Sequence, residues 1–234
     1  MKSNESYIGD ELSLFAHADN WKRYWSSKIE PLLDGPVLEV GAGIGTNLSL
    51  LRSRKQDWLA LEPDLDQANI INESADQENI SVISGTLNDI AIEQKFKSII
   101  YIDVLEHIEN DVAEVENAFD RLESGGRLII LSPAHNRLFS PFDKAVGHYR
   151  RYNKAMLREL TPVSQAVKIE SLYYLDSVGC LASFANMALL RQKMPTLKQI
   201  WLWDKVMVPI SRVLDVLFTY RLGKTVVMVW RKAD

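Results

Sequence analysis

The sequence predicts an α/β fold, in which a mostly parallel sheet lies between layers of helices. Short apolar runs of strand length alternate with helix-like stretches along the chain. The runs are apolar almost throughout, which is typical of strands covered on both faces. The stretches between them are long enough to hold a crossover helix, and parallel neighbours need such a connection.

The elements can be placed in order along the chain. The residues before the first strand, with the segment NWKRYW, are predicted to form helices that lie on the sheet. Glu109 to Leu122 is a helix-like stretch between two strands. The candidate strands are Val37 to Val40, Trp58 to Leu61, Ile80 to Ser84, Ser98 to Ile102, Arg127 to Leu131, Val167 to Tyr174 and Thr225 to Arg231. With 234 residues, 47% of them apolar, the chain can bury one sizeable core, so a single domain is expected.

Composition and charge exclude several classes of protein. The net charge of −4 provides no global field that would recruit nucleic acid. Cys180 is the only cysteine, so an intramolecular disulfide and a multi-cysteine zinc site are both excluded, and no metal site is predicted. The N-terminal segment lacks the apolar core of a signal peptide, and no apolar run reaches the roughly 18 residues of a membrane span. The sequence therefore predicts a cytoplasmic protein.

The run VLEVGAGIGTNLSLL, residues 37–51, is the most informative motif. Gly41, Gly43 and Gly45 allow the backbone to turn sharply and to approach a ligand closely. A dinucleotide site needs its third glycine at position 46, where this chain has Thr46. Glu39 would repel a pyrophosphate and attract an ammonium group, and its burial in a strand costs free energy unless something pairs with it. The motif therefore favours a cationic ligand.

Glu62 indicates that this ligand carries a ribose. It lies 21 residues past Gly41, at the end of the second strand, where a carboxylate can accept hydrogen bonds from both ribose hydroxyls. The glycine loop and this acid together indicate a nucleoside cofactor. The alternative interpretation is a glycine turn with an unrelated surface glutamate.

Five segments, in order, resemble motifs of the class I S-adenosylmethionine-dependent methyltransferases, and the match spans most of the chain. The segments are LEVGAGIGTN, LEPD, SGTLNDI, YIDVLEHIEND and LESGGRLIILSP. The resemblance implies a Rossmann-like three-layer sandwich with a seven-stranded, mostly parallel sheet. A final hairpin would bring in one antiparallel strand, with a helical segment before the sheet and a helical insertion before the last strand.

The resemblance implies one methyltransferase domain over residues 1–234. Within it we expect an N-terminal helical lid at 1–34 and a cofactor-binding half at 35–133. The acceptor-binding half would follow at 134–234, with the helical insertion at 177–220.

S-adenosyl-L-methionine is the cofactor that the resemblance implies. Its sulfonium and ammonium charges suit Glu39 and Asp103, whereas the glycine amides and Asn47 could meet its carboxylate. Thr86 and Leu87 would lie beside the adenine, in a segment that lacks the acid often found there. The predicted cofactor-binding residues are Glu39, Gly41, Ala42, Gly43, Gly45, Asn47, Glu62, Pro63, Thr86, Leu87, Asp103, Val104 and Leu105.

The segment SPAHNRLFSPFDKAVGHYRRYNKAML follows the fifth strand and is the candidate acceptor loop, because open α/β sheets bind ligands beyond the carboxyl ends of their strands. His135 and His148 are candidate bases, and His148 could instead bridge backbone groups. Arg150 and Arg151 could bind an anionic group of the acceptor, or pair with Asp143 to order the loop. The predicted substrate-binding residues are Phe142, Asp143, Tyr149, Arg150 and Arg151.

His107, in DVLEHIEND, is the third candidate catalytic residue. Its alternative role is to shape the pocket floor through hydrogen bonds. Because a sulfonium is already a good leaving group, catalysis mainly requires a nucleophile placed in line with the methyl group and the exclusion of water. A base is needed only if the acceptor must lose a proton.

An aromatic stripe precedes the first strand. Phe15, Trp21, Tyr24 and Trp25 fall at helix-like spacing. They are interpreted either as core packing or as part of a lid over the cofactor, with Tyr24 as a cofactor contact.

The segment MPTLKQIWLWDKVMVPISRVLDVLF, residues 194–218, is the second unusual stretch. One side of its helical wheel is polar and the other is widely apolar. Packing of the apolar face against the sheet or a preceding helix is the first interpretation, and a substrate tunnel, a homodimer interface or a membrane-surface contact are the alternatives. Pro209 is expected to kink or restart the helix. The polar side carries Asp204, Lys205, Ser211, Arg212 and Asp215.

Three functions remain open at this point. The leading hypothesis is S-adenosylmethionine-dependent methyl transfer to a small-molecule or lipid-like acceptor at oxygen, nitrogen or carbon, without nucleic acid as a partner. The segments FDKAVGHYRRY and WDKVMVPISRVLD resemble bacterial family members of uncertain acceptor, some of which are connected with saccharide or lipid-linked pathways. One alternative is an NAD(P)-dependent oxidoreductase, and Thr46 in place of the third glycine argues against it. The other is a non-catalytic adenosyl-binding protein, and the loop at 135–152, which is rich in histidine, aromatic and charged residues, argues against that.

Overall fold

The computed structural model describes residues 18–51, 56–74, 79–163, 165–187 and 196–234. The strands are β1 (Val37–Val40), β2 (Trp58–Glu62), β3 (Ile80–Ser84), β4 (Phe96–Ile102), β5 (Leu122–Pro133), β6 (Val167–Leu175) and β7 (Thr225–Lys232). The α-helices are α1 (Asp19–Ile29), α2 (Leu48–Leu51), α3 (Leu65–Ser74), α4 (Asp111–Asp120), α5 (Pro141–Ala145), α6 (Lys154–Glu159), α7 (Ser177–Ala185), α8 (Leu197–Leu202) and α9 (Val208–Leu217). A π-helical turn, Trp203–Met207, joins α8 to α9, and short 3-10 turns lie at Glu30–Leu32, Leu87–Asp89, Leu105–His107 and Asn136–Leu138.

Within these ranges, seven strands form one sheet in the order β3-β2-β1-β4-β5-β7-β6. Strands β1 to β5 pair in parallel, and β7 runs antiparallel to both β5 and β6. This arrangement confirms the predicted sandwich with one antiparallel strand and a final hairpin. All the candidate strands are present, although β4 and β5 begin earlier than predicted, at Phe96 and Leu122.

Both faces of the sheet are buried, as the apolar strands predicted. In β4, Ile99 and Tyr101 join the apolar cluster that includes α4 and α6, whereas Ile100 and Ile102 join the cluster that includes α1 and α3. Successive residues of a strand point to opposite faces. Each face therefore has its own helical layer, which gives the three-layer architecture.

The functional residues of the sheet gather at the edge formed by the carboxyl ends of its parallel strands. Gly41, Asp103 and Asp176 directly follow β1, β4 and β6, and Lys224 directly precedes the antiparallel β7. These positions share one edge, which is called the carboxyl edge below. Strand order reverses between β1 and β4, and open α/β sheets bind their ligands at such a switch point.

The N-terminal aromatic stripe is core packing. Trp21, Tyr24 and Trp25 are buried on the inner side of α1. The Tyr24 hydroxyl donates a hydrogen bond to Asp215 Oδ2 at 2.8 Å, so Tyr24 faces α9 rather than a cofactor. Phe15 lies outside the described residues.

The C-terminal helical segment packs the opposite way from the first interpretation. Its polar residues Asp204, Ser211 and Asp215 are each at most 1% exposed. The prediction that its apolar face packs on the protein is wrong, because that face points outward. Pro209 lies in the first turn of α9, where the π-helical turn gives way to α-helix without a break in the helical backbone. The exposed apolar side chains are Leu197, Trp201, Leu202, Val206, Ile210, Val213, Val216, Leu217 and Phe218.

Two buried aspartates hold this segment in place. Asp215 accepts hydrogen bonds from the Tyr24 hydroxyl at 2.8 Å, from Asp176 N–H at 2.7 Å and from the next backbone N–H at 2.9 Å. Asp176, with a positive φ of 67°, accepts from Ser211 Oγ and Trp203 Nε1, both at 2.7 Å. Hydrogen bonds to buried carboxylates therefore attach α9 and the π-helical turn to the junction of β6 and α7 and to α1.

Candidate active site

The glycine loop after β1 comes very close to the loop after β4. Gly41 has a φ of 71°, and a Cβ atom there would lie 2.6 Å from Val104 Cγ2. Gly43 and Gly45 also have positive φ values, of 57° and 79°. A side chain at Gly41 would clash, and these backbone conformations are costly for other residues, so the loop requires glycine.

The glycine amides are already bonded within the protein. Gly41 N–H and Ala42 N–H both donate to Leu61 O, at 2.7 and 3.0 Å, and Gly45 N–H donates within the loop. Gly43 N–H donates to a carboxylate of β2 at 2.8 Å. A pyrophosphate site needs such amides to point at the ligand. The loop is therefore not built as a diphosphate cradle, and these amides are not available for the cofactor carboxylate that the sequence interpretation gave them.

Glu62, at the end of β2, organises the glycine loop. Its Oε2 accepts from Gly43 N–H at 2.8 Å, and its Oε1 accepts from Asp64 N–H at 2.9 Å, around the exposed Pro63. Each carboxylate oxygen has a second lone pair. Glu62 can therefore hold the loop and still accept ribose hydroxyls.

Glu39 is buried in β1 with only partial compensation of its charge. Its Oε1 accepts from Asn47 Nδ2 at 2.8 Å and its Oε2 from Trp58 Nε1 at 3.1 Å. Burial raises the pKa of Glu39 to about 7, although these two hydrogen bonds lower it, and the charge of Glu62 raises it further. A cation beside Glu39 would stabilise the ionised carboxylate. Asn47 faces Glu39, so the two together form a site suited to a positive group.

Asp103 lies across the switch point from the glycine loop, with a φ of 54°. Its side chain is exposed at the carboxyl edge, where neighbouring loops surround it. Burial raises the pKa of Asp103 to about 6, while the nearby charges of His148 and Lys224 lower it. Together with Glu39, Asp103 gives the crevice between β1 and β4 a negative character that the protein does not fully compensate.

The segment predicted to contact adenine folds back on itself. Thr86 N–H and Oγ1 both donate to Asp89 Oδ2, at 2.7 and 3.0 Å, and cap the 3-10 turn that follows. The Leu87 and Leu105 side chains are buried in the core. They support the wall of the crevice from inside.

Asp143 is the hub of the acceptor loop. Arg151 Nε and Nη2 donate to its two oxygens at 2.6 and 2.9 Å, and Ser140 donates from Oγ and N–H at 2.7 and 2.8 Å. His148 Nδ1 lies 3.0 Å from Asp143 Oδ1. Burial alone would raise the pKa of Asp143, but the hydrogen bonds from His148, Arg151 and Ser140 hold it well below its usual range. The alternative in which Arg151 pairs with Asp143 is confirmed.

The hub fixes the orientation and tautomer of His148. An ionised carboxylate only accepts hydrogen bonds, so His148 donates to Asp143 from Nδ1, and a neutral ring then carries its lone pair on Nε2. The His107 ring lies edge-on to the His148 ring, with centroids 4.5 Å apart. Burial, followed by the charge of His148, lowers the pKa of His107 to about 4, so His107 is neutral near pH 7. The charge of His148 also lowers the pKa of Asp103, so the two side chains lie in the same region of the carboxyl edge.

The other predicted acceptor residues are spread over the loop. Arg150 pairs with Asp111, not with the hub aspartate, and donates from Nη2 to Glu109 O at 2.6 Å. Tyr149 is exposed, with the Arg150 guanidinium 5.8 Å from its ring centroid, and Phe142 is partly buried. These contacts leave Arg150 as a loop-ordering residue.

His135, just after β5, has a backbone role. Its φ is 67°, and its Nε2 lies 2.9 Å from Gly223 O, which can only accept, so Nε2 carries the hydrogen. Its ring packs against Tyr174 and Phe184, with centroids 4.9 and 6.2 Å away. Burial lowers the pKa of His135, although the bond to Gly223 raises it. Nε2 is thus already used to join β5 to the start of β7.

Glu106, His107 and His148 could hold a metal ion. One ligand-type atom from each lies within 4.8 Å of the others. Two imidazoles and a carboxylate are suitable ligands for several divalent metals. Glu106 Oε2 also accepts a hydrogen bond from Ser132 Oγ at 2.8 Å. The sequence did not indicate this cluster.

Lys224 and Asp176 are further residues of the carboxyl edge that the sequence analysis missed. Burial lowers the pKa of Lys224, while the nearby carboxylates of Asp176 and Asp143 raise it. The signal that could have found Lys224 is topological. A residue directly before an antiparallel last strand lies at the same edge as the residues that directly follow parallel strands.

The comparisons with known proteins agree with this geometry. Residues 15–175 match the family model described as "Methyltransferase domain". An "Uncharacterized methyltransferase" from Staphylococcus carnosus is 30% identical over 100 residues, which are 42% of this chain. The match spans 47% of that relative's length.

Solved structures share the fold. A SAM-dependent methyltransferase from Thermotoga maritima has a TM-score of 0.64 at 16% identity, with 98% of this chain and 97% of that one covered. Coclaurine N-methyltransferase bound to N-methylheliamine and SAH has a TM-score of 0.60 at 13% identity, with 94% of this chain and 72% of that one covered. The family match extends over more than half of the chain. The chain therefore belongs to the methyltransferase-domain family, and its fold is that of the class I S-adenosylmethionine-dependent methyltransferases.

Proposed function

We propose that this protein methylates a small-molecule or lipid-like acceptor whose attacking atom carries a proton, and that His148 takes that proton. The pairing of Asp143 with His148 carries the proposal, because it holds Nδ1 of the imidazole and leaves Nε2 as the ring nitrogen that can accept a proton. A hydroxyl or a protonated amine needs such a base before it can attack. The small molecule bound to coclaurine N-methyltransferase, a protein of the same fold, supports an acceptor of this size.

The residues of the crevice suit the methyl donor. Glu39 and Asp103 would hold its cationic end, and Glu62 its ribose. The same carboxylates would repel the phosphates of a dinucleotide, so they favour a methyltransferase over the NAD(P)-dependent alternative. When bound, S-adenosyl-L-methionine supplies a methyl carbon that is open to attack as the carbon–sulfur electron pair stays on sulfur.

Residues of the acceptor loop carry out the proton transfer. His148 Nε2 accepts the proton that the acceptor atom releases as it attacks. Asp143 keeps the Nδ1–H tautomer and stabilises the imidazolium that forms. Arg151 in turn keeps Asp143 ionised. His107 stays neutral beside the His148 ring.

A panel of hydroxyl, amine and thiol acceptors, with S-adenosylhomocysteine production as the readout, tests the proposal. His148→Gln is expected to slow methylation of a hydroxyl or amine acceptor by about 10²- to 10⁴-fold. Its affinity for S-adenosylhomocysteine should not change. A thiol forms its anion near neutral pH without help, so its methylation should fall much less.

Lys144→Gln is the matched control, because Lys144 is an exposed residue of the same loop. It should leave all rates unchanged. Equal losses for thiol and hydroxyl acceptors in His148→Gln would indicate a positioning role instead. An unchanged rate with every acceptor would refute His148 as the base.

A further inference from the structure

The outward side of the C-terminal helical segment forms a continuous apolar surface, here called the outer face. It consists of Trp201, Leu202, Val206, Ile210, Val213, Val216, Leu217 and Phe218. These side chains are between 42% and 69% exposed. None of the described ranges of the chain covers them. An exposed apolar patch of this kind normally marks an interaction site.

The outer face is a consequence of how the segment is anchored. Its opposite side places Asp204, Ser211 and Asp215 in the protein, where buried hydrogen bonds hold them. An ordinary surface helix buries its apolar side. In this segment the side that packs on the protein carries the polar residues Asp204, Ser211 and Asp215. The apolar side therefore faces outward, where a partner can bind it.

The exposed charges of the segment itself are basic, and one of them, Lys205, pairs with Asp204 and with the exposed Asp19 of α1. Lys198, Lys205, Arg212 and Arg221 are exposed between residues 196 and 224. The acids of this part, Asp204 and Asp215, are buried. Because the whole chain carries a net charge of −4, this cationic rim is a local feature.

We propose that the outer face docks onto an anionic lipid bilayer, with α8 and α9 lying in the plane of the interface. A helix with a large aliphatic face, a tryptophan and flanking basic residues is suited to the boundary between headgroups and acyl chains. The basic rim adds attraction to anionic headgroups. No helix in the described part of the chain is long and apolar enough to cross a membrane, so docking would be peripheral.

The rim favours lipid over a second copy of the chain. A two-fold interface sets the same surface of each copy against its mate. The basic residues Lys198, Arg212 and Arg221 of one copy would then lie on the same interface as those of the other, which is unfavourable. In an anionic bilayer the apolar residues would contact acyl chains and the basic rim would contact the headgroups.

The outer face is also connected to the active site. Trp203, in the π-helical turn, donates from Nε1 to Asp176 Oδ2 at 2.7 Å, and the Lys224 ammonium lies 4.8 Å from the centroid of its ring. Asp176 and Lys224 belong to the carboxyl edge. A docked protein would therefore hold its cleft near the bilayer surface. Docking itself does not depend on the proposed methyl transfer and can be measured without turnover.

Co-sedimentation of the full chain with vesicles tests the inference. The chain should bind vesicles of phosphatidylcholine mixed with phosphatidylglycerol, and bind pure phosphatidylcholine vesicles much more weakly. The double variant Val213→Ser/Leu217→Ser should bind the anionic vesicles at least about tenfold more weakly, because two apolar anchors are lost. Lys198→Gln/Arg221→Gln should lose about fivefold per charge, and raised salt should reproduce that loss.

The matched control is Leu65→Ser/Val112→Ser, which removes comparably exposed apolar side chains from α3 and α4. It should bind vesicles as the unchanged protein does. Thermal melting of each variant checks that it is folded. An unchanged protein that does not sediment with anionic vesicles overturns the proposal, and so does equal binding by the Val213→Ser/Leu217→Ser variant. A solution dimer that this variant dissociates would assign the outer face to a second copy and overturn the proposal as well.

Discussion

The crevice between β1 and β4 and the C-terminal helical segment both contain carboxylates, but the protein compensates the charges of the two sets differently. Asp215 and Asp176 accept several hydrogen bonds each, from backbone and side-chain donors. Glu39 and Asp103 are compensated less, and burial raises their pKa to about 7 and about 6. A fully bonded carboxylate holds the fold together, whereas a partly compensated one marks a place for a cationic ligand.

The largest expected effect tests the structural side of this comparison. Asp215→Ala leaves three buried donors without their acceptor, and it should lower the free energy of unfolding by about 3 to 5 kcal/mol. Chemical denaturation measures the change. Glu116→Ala, at an exposed position of α4, should cost less than about 0.5 kcal/mol. Equal stabilities for the two variants would mean that the buried bonds do not anchor α9.

The second prediction tests the ligand side. Glu62→Ala removes the acceptor of Gly43 N–H and the expected ribose contacts, so affinity for S-adenosylhomocysteine should fall by about 2 to 4 kcal/mol. Titration calorimetry measures it, with Asp66→Ala, exposed in α3, as the control. An affinity equal to that of the unchanged protein would contradict the role of Glu62.

The third prediction sharpens the comparison through pH. The pKa of Glu39 is raised from its ordinary value of 4.5 to about 7, so between these pH values the folded free protein keeps a proton that the unfolded chain releases. The free energy of unfolding therefore falls as pH rises from 4.5 to about 7. A cationic ligand favours the ionised form. Affinity for S-adenosyl-L-methionine should therefore rise about tenfold as pH rises towards 7 and level off above it, with a smaller rise below about 6 from Asp103.

Calorimetry at a series of pH values in several buffers measures both the affinity and the proton release. Glu39→Gln removes the step near 7 and leaves the one from Asp103. A pH-independent affinity in the unchanged protein would show that Glu39 does not meet a positive group.

The smallest expected effect concerns metal removal. His148 Nε2 has one lone pair, so it cannot accept a proton and bind a metal at the same time. If it is the base, dialysis against a chelator leaves the methylation rate unchanged. A rate that falls with the chelator and returns with a divalent cation would assign Glu106, His107 and His148 to a metal site instead.

The cofactor half could be predicted from the sequence because its constraints are local. Gly41 must be glycine for its positive φ and its approach to Val104, and Glu39 stands two residues before it. The apolar runs fix the strands, and the strands bring Glu62 beside the same loop. Spacing along the chain carries nearly all of this information.

The acceptor half depends on contacts between distant segments. Arg150 and Arg151 are neighbours in sequence, yet they pair with Asp111 and Asp143, and only the path of the loop decides which. Periodicity shows that α9 has two faces but not which one is buried. That choice depends on donors from α1 and from the junction of β6 and α7, which no local pattern reveals.

A crystal structure of the complex with S-adenosylhomocysteine tests the central claim most directly, since the claim is that the partly compensated carboxylates form the donor site. It should place the ligand ammonium within hydrogen-bond distance of Glu39 or Asp103, the ribose hydroxyls on Glu62, and His148 Nε2 facing the space beyond the sulfur. A ligand bound elsewhere, with the crevice carboxylates still contacting only the protein, would contradict the account.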